Sequence, residues 1–420
     1  MNGNRRLVEF LVVGGCAFLL TGAILTLILG PGDTPSEGNA FWRAILSVGY
    51  LSVAAILAPY YREALFVVRR NWQIAALVLL AFVSCLWTEM PALALRRSIG
   101  VCGTTLLGIA LAVRFSVEDQ LRLFSWLFRI LGILSLTCIV FLPGLGISDS
   151  AAGEWQGVFG YKNVLGSMMA MSMLVEWQLP AHTRFYKTIR RLALLVSAVL
   201  LIFSGSITPL VALIGSFVLI EVYKFATLRL RVPLYATVLG LLLVALSVIT
   251  VIGVHSDALA GALGRSSDLT GRTEIWSGVV SFILDRPILG YGYAGFWQGA
   301  SAASTAVDQT MGTMIMYSHN GYLEIVLTLG VAGFLLVLAV LGSGVKRAYK
   351  WSERGQSNAG LWPLAFLLFF LLHNFAECTV FYADLQWVIC ISVVASTDPA
   401  LFAAHSKEEE LLLEPAGEFT

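Results

Sequence analysis

Ser318-His319-Asn320-Gly321-Tyr322-Leu323-Glu324 closes a polar interruption, residues 255–318, in a chain that is otherwise long apolar helix. Arg, His, Asp and Trp gather in this stretch outside the apolar runs, and His319 stands at the mouth of one of them. An imidazole so placed can take a proton near neutral pH. On the same side lie six basic residues, Arg96, Arg97, Lys162, Arg265, Arg272 and Arg286. Each is either an interfacial cation with a snorkelling stem or a device for holding an anion. Convergence of several on one face would favour the anion.

The elements that must position these residues follow from composition. With 58% hydrophobic and 13% charged residues and a mean hydropathy of +0.81, the chain is far more apolar than a soluble fold, where about a quarter of residues are charged. The fold class is all-α, a polytopic membrane protein. A hydrocarbon layer about 30 Å thick needs about 20 apolar residues per crossing, which gives about 12 transmembrane helices. They fall near 7–30, 42–59, 73–88, 97–113, 122–143, 163–180, 190–205, 207–223, 233–254, 320–343, 361–377 and 380–397. The first follows Asn4-Arg5-Arg6 and is too long for a signal-peptide core, so it reads as a retained anchor.

Lys and Arg in the short loops set orientation. The groups Arg5/Arg6, Arg62/Arg69/Arg70, Arg114, Arg184/Lys187/Arg190/Arg191, Lys224/Arg229/Arg231 and Lys346/Arg347/Lys350/Arg354 alternate strictly to one side. That side is expected to be cytoplasmic, together with both termini. The chain reads as one membrane domain over 1–420, with a large periplasmic loop over 255–318 between spans nine and ten and a cytoplasmic acidic tail over 398–420. A formal net charge of +1 gives no reason to expect nucleic acid as a partner.

Inside the loop, Asp268 or Thr270 can cap a helix whose apolar stripe is Ile275, Val279, Val280, Phe282 and Ile283, a pattern suited to lying flat on the bilayer. Pro287 ends the helix region, and Gly290 and Gly292 permit a tight turn. The aromatics Tyr291, Tyr293, Phe296 and Trp297 fit either an interfacial belt or a sugar-stacking platform. The six cysteines lie in or beside spans without CxxC spacing and read as buried hydrophobes. The five histidines are scattered and no HExxH occurs, so no metal site is expected.

Several motifs carry a family resemblance. They are Gly271-Arg272-x-x-x-Trp276, Pro287-x-x-Gly290-x-Gly292, His319-Asn320-x-Tyr322-Leu323-Glu324 and Gly330-x-x-Gly333. Together they resemble the signature of the O-antigen ligase and Wzy-type polymerase superfamily. Gly157-Val158-Phe159-Gly160-Tyr161-Lys162-Asn163-x-Leu165-Gly166 is similar to its exopolysaccharide-polymerase (ExoQ-like) branch. Ser84-x-x-Trp87-x-x-x-Pro91 before Arg96-Arg97, and His373-Asn374-x-x-Glu377, fit the same pattern. The resemblance spans about 75 to 390.

It implies glycan transfer on the periplasmic face of the bacterial inner membrane, from an undecaprenyl-diphosphate-linked oligosaccharide to an acceptor hydroxyl, with no cofactor and no metal. A polymerase uses a second lipid-linked repeat as acceptor; a ligase uses lipid A core. A transporter of lipid-linked glycan is a rival reading, against which no half-to-half similarity appears. Partners would be the lipid-linked glycan, the bilayer and a chain-length regulator.

Without metal, the leaving diphosphate must be neutralised by Arg, whose planar fork grips phosphate oxygens in pairs, or by Lys. By resemblance Arg272 comes first, with Arg97, Lys162, Arg265 and Arg286 as further cations. His319 is the expected base, and Glu324, a helical turn on, is placed to orient it. Asn163, Asn320, Trp276 and Tyr291 complete the expected substrate contacts. Plainer roles stand beside these: His319-Asn320 as a helix cap, Lys162-Asn163 as a cap with a snorkelling Lys, and His373 with Glu377 as an interhelical lock. One departure from relatives is the turn Ser204-Gly205-Ser206-Ile207-Thr208-Pro209, which lacks a basic residue; either Lys162 or Arg265 supplies that charge or the anion grip differs, with the Ser206 and Thr208 hydroxyls able to donate to phosphate.

Overall fold

A computed structural model describes residues 3–29, 40–149, 153–180, 183–229, 268–297, 304–305, 315–353, 358–399 and 401. The expected ninth span at 233–254, residues 255–267 with Arg265, and most of the acidic tail lie outside the described residues. Helices occupy the other eleven expected span positions, and among the described residues there is no strand. The protein is an all-helical, polytopic membrane protein. Ala40–Arg70, Pro91–Arg114, Val117–Phe141, Ile207–Ala226 and Gly321–Ser352 are each long and apolar enough to cross a bilayer. Large apolar side chains such as Leu51, Leu86 and Phe141 are exposed on the helix surfaces, as lipid-facing positions require.

Local chemistry explains several helix starts. Ser116 accepts from the Asp119 backbone N–H and begins Val117–Phe141, where Glu118 and Asp119 complement the helix dipole. Thr183 caps Arg184–Phe203, and Asp384 caps Leu385–Ser396. Trp362–His373 and Leu385–Ser396 are helical for only 12 residues each, or about 18 Å at 1.5 Å per residue. The backbone between them is irregular, so Glu377 sits in a turn rather than inside the eleventh span. Irregular backbone at such a place must find its partners within the protein. Asn374 supplies them: its Oδ1 accepts from Thr379 N and Val380 N, both at 2.9 Å, and its Nδ2 donates to Phe370 O at 2.8 Å.

Contacts between distant segments gather the basic loops at one end of the bundle. Arg6 meets Asp119 at 2.7 Å and Arg70 meets Asp398 at 3.1 Å. Arg347 donates to Asn71 Oδ1 at 2.6 Å and to Val394 O at 3.0 Å. Asp398, which opens the expected tail, is thus buried in an ion pair. The expected catalytic residues lie toward the opposite end.

There, the long Gly321–Ser352 helix is broken at Gly330, whose φ of 66° and ψ of −169° leave the helical region. The break is filled by the turn Pro287–Gly292. Val331 N donates to Pro287 O at 2.8 Å and Ala332 N to Ile288 O at 3.2 Å; Tyr291 N donates to Leu327 O at 3.0 Å and Gly292 N to Thr328 O at 2.8 Å. Each segment satisfies backbone groups that the other's bend leaves free, which is the condition for breaking a helix inside a membrane protein. A Cβ at Gly330 would collide with the Ile288 backbone. The paired glycine motifs are therefore one joint.

The joint seats the Asp268–Asp285 helix. Its Ile275 and Val279 are buried against Tyr291, Phe296, Trp297, Ile315 and Leu327, with Phe282 and Ile283 partly buried beside them. The stripe thus faces protein over most of its width; Val280 alone of its five residues is substantially exposed, at 43%. The helix is held by packing because the turn that follows it folds back beneath it.

Candidate active site

Helices beginning at Lys162, Ile207 and Gly321 start at this end, and each contributes the positive end of its dipole. Arg272, on the second turn of the Asp268–Asp285 helix, reaches across them. Its Nη1 donates to Thr208 Oγ1 at 3.4 Å and its Nη2 lies 3.6 Å from Glu377 Oε1. Glu377 Oε1 also accepts from Asn163 Nδ2 at 2.9 Å, while Asn163 Oδ1 accepts from Ser206 Oγ at 2.9 Å. These two bonds fix which way the Asn163 amide points, since only nitrogen can donate to a carboxylate. Ser167 Oγ donates to Asn163 O at 2.7 Å and lies 2.9 Å from His373 Nε2. The hydroxyls of the turn that lacks a basic residue are therefore both engaged in this network, Thr208 by Arg272 and Ser206 by Asn163.

His319 stands beside the same guanidinium. Its φ of 52° lies in the left-handed region, uncommon for a residue with a side chain. Its ring packs on Tyr317 at 4.3 Å between centroids. Its Nδ1 is buried without a hydrogen-bond partner among the described residues. Burial, reinforced by the positive charge of Arg272, lowers the His319 pKa to about 4, so the ring is neutral and one ring nitrogen can accept a proton at physiological pH. Trp276, one turn beyond Arg272, donates Nε1–H to Ser318 O at 3.0 Å and ties the Asp268–Asp285 helix to the backbone next to His319. Asn320 caps the Gly321–Ser352 helix, its Oδ1 accepting from Tyr322 N at 3.0 Å and Leu323 N at 3.1 Å.

Glu324 takes a different place from the one its spacing suggested. It does not hold the imidazole: its carboxylate accepts from Trp297 Nε1 at 2.8 Å and from Ser318 N at 3.0 Å. Glu324 instead pins together Trp297 and Ser318, the two residues that bracket 298–317. Arg97 lies within electrostatic reach of Glu324 and donates to Ala294 O at 3.3 Å.

The remaining cations are placed otherwise. Lys162 Nζ bonds Glu154 at 2.8 Å, adjacent to Asn163 in sequence but directed to a different carboxylate. Arg286 lies 3.7 Å from Glu89 and over the Tyr291 ring at 4.5 Å. Arg96 has a buried Nε without a partner among the described residues. Tyr291, Tyr293, Phe296 and Trp297 are at most 6% exposed, and Tyr291 packs edge-on against Phe282 and Phe296. The aromatic cluster is a small core beneath the helix, with no open ring face for a sugar.

Glu377 draws attention by its environment. Burial raises its pKa to about 7, opposed by the Arg272 charge and the Asn163 hydrogen bond. The sequence reading assigned Glu377, His373, Ser206 and Thr208 no primary role; the one signal was an ionisable pair inside an apolar stretch, which is costly without partners. Among the described residues no three His, Cys, Asp or Glu side chains converge as a metal centre would need.

An arginine, a neutral imidazole, an amide and a carboxylate so grouped can hold an anion and accept a proton. Residues 192–338 match the family model described as O-Antigen ligase. The stretch includes Arg272, Trp276, His319, Asn320 and Glu324 but not Arg97, Asn163 or Glu377. The exopolysaccharide production protein ExoQ of Rhizobium meliloti (strain 1021) is 34% identical over 88 residues, 20% of this chain and 20% of that protein. The match thus spans about a fifth of that relative's length. Over residues 192–338 the chain is thus similar to the O-antigen ligase family, and over 88 residues to an exopolysaccharide production protein.

Proposed function

We propose that the protein is an inverting, metal-independent glycosyltransferase of the bacterial inner membrane that polymerises undecaprenyl-diphosphate-linked repeat units on the periplasmic face. The observation that carries this reading is that Arg272 acts electrostatically on His319, with Thr208 and Glu377 at the guanidinium and Asn163 bonded to Glu377. Arg272 would grip the diphosphate, and its planar fork suits paired phosphate oxygens. The acceptor hydroxyl attacks the anomeric carbon, the bond from that carbon to the phosphate oxygen breaks, and the diphosphate departs with the electron pair. His319 takes the hydroxyl proton.

The electrostatics support the order of events. In the free protein Arg272 opposes protonation of His319. A bound diphosphate offsets that charge, so the imidazole becomes a stronger base once donor is in place, nearer the pKa that suits general-base catalysis. Glu324, Trp276 and Asn320 act as positioning residues that hold the His319 segment. The lipid chain would lie along the apolar helix surfaces that face the bilayer, and a chain-length regulator would act on the product from outside this chain.

The test is turnover by purified protein in lipid bilayers. Lipid-linked repeats alone should be elongated, in the presence of chelator as well as without it. Arg272→Ala and His319→Ala should remain inserted and yield no long polymer. Ladders of wild-type length from both variants would remove these roles. The family model's description favours one rival, ligation to lipid A core by the same residues. Product formed only when core is added would establish that reading instead.

A further inference from the structure

We infer that Glu377 is the resident counter-anion of the diphosphate seat, occupying the Arg272 guanidinium until a lipid-linked diphosphate displaces it. The inference rests on the proposed role of Arg272 and adds a residue and a step to it. Three observations carry it.

First, Glu377 lies where a phosphate oxygen would. It meets Arg272 Nη2 and Asn163 Nδ2 from one oxygen, so it already uses two donors that an anion at this opening would want. Second, the contact is loose. Arg272 comes no closer to Glu377 than 3.6 Å, beyond hydrogen-bond length, and its bond to Thr208 is 3.4 Å. Elsewhere the same protein pairs Arg129 with Glu176 through two bonds of 2.8 Å, and Arg114 with Glu9 at 2.9 and 3.0 Å. A pair built to stay shut makes two short bonds; this one makes none. Third, Glu377 has somewhere to remain when Arg272 leaves it. Asn163 keeps its bond to the carboxylate, is itself held by Ser206, and the Glu377 carbonyl is anchored by Gly321 N at 2.9 Å.

A carboxylate that competes with the ligand for one cation makes binding depend on its own protonation. Arg272, Tyr317 and Cys378 face Glu377 electrostatically, and His319 and His373 share Arg272 with it. The Glu377 pKa is raised to about 7. Below that pH the protonated group no longer competes, and above it the carboxylate does. The diphosphate titrates too, so only the ratio of wild type to a charge-free variant isolates Glu377.

The experiment measures binding of farnesyl diphosphate to the full-length protein in nanodiscs between pH 5.5 and 8.5, for wild type, Glu377→Gln, Glu377→Asp and Arg272→Gln. Glu377→Gln keeps a partner for Asn163 while removing the charge. It should bind several-fold more tightly than wild type at pH 8.5, and the ratio of the two Kd values should approach one by pH 5.5. Glu377→Asp should keep a pH-dependent ratio. A ratio that is flat with pH, or weaker binding by Glu377→Gln throughout, would show Glu377 to be only a strut for Arg272 and would overturn the inference while leaving the diphosphate seat intact. Binding unaffected by Arg272→Gln, or absent from wild type, would overturn the seat itself and this inference with it.

Discussion

The two ends of the bundle use the same chemistry for opposite purposes. At the basic end, Arg114 and Glu9 are each 5% exposed and joined by two short bonds, with Tyr60 stacked over the guanidinium at 3.6 Å. Arg129 and Glu176, near the basic end of the Lys162–Gln178 helix, form a bidentate pair to which Ser125 adds a bond of 2.7 Å. At the site end, Arg272 is 20% exposed and comes no closer to its carboxylate than 3.6 Å. A desolvated charge that serves only to join helices must be fully matched, because each missing bond costs several kcal/mol in a low-dielectric surround. A charge that must exchange partners is left accessible and under-bonded.

The largest expected effect lies at the loose pair. Arg272→Ala should reduce polymer formation by about 100-fold or more, the range seen when a group stabilising transition-state charge is removed, while thermal unfolding stays close to wild type. A large drop in unfolding temperature would make Arg272 a lock like Arg129 and erase the contrast. Glu176→Gln should behave in the opposite sense. It leaves a buried guanidinium short of its partner and should cost about 3–5 kcal/mol of stability, visible as lost insertion or early unfolding, with the KM of the surviving protein unchanged. A changed KM would show that the lock is coupled to the site.

Gly330→Ala tests whether the joint between the broken helix and the Pro287–Gly292 turn positions Arg272. The φ of 66° and the Ile288 backbone both resist a methyl group, so about 1–3 kcal/mol of strain is expected. The rate should fall more than the stability does, as read by turnover and unfolding on the same sample. In pH terms, His319 has a folded-state pKa lowered to about 4. A group whose basic form is the active one loses activity as pH falls through its pKa, so kcat/KM should decline on the acid side near 4 rather than near the ordinary histidine value. An acid limb at 6.5 would show an imidazole that is neither buried nor in the field of Arg272. The smallest effect is expected for Lys162→Ala. Its bond to Glu154 is partly exposed, and such pairs contribute about 0–1 kcal/mol, so activity should change about two-fold or less in the same turnover assay.

Much of the fold was legible in the chain because a span needs only a run of apolar residues, and such runs are local. Eleven of the expected positions hold helices, and the alternation of basic loops corresponds to their gathering at one end. The candidate site was legible by residue type, since His319, Arg272 and Asn163 stand out as polar groups at the mouths of apolar helices. What they bind was not. Spacing placed Glu324 within reach of His319, but the folded chain gives its carboxylate to Trp297 and Ser318, residues on either side of 298–317. The aromatic run after Gly290 fitted a sugar platform equally well until the turn folded it under a helix.

Sequence alone therefore determined the membrane class, the helix inventory and the set of chemically active side chains, because hydrophobicity and residue type are properties of short stretches. Only the tertiary structure decided that Arg272 faces His319 and Glu377 while Lys162 and Arg286 face other carboxylates. Those choices depend on the Gly330 joint and on contacts between residues more than a hundred positions apart, such as Asn163 with Glu377. Packing sets such distances, and no local pattern along the chain encodes them.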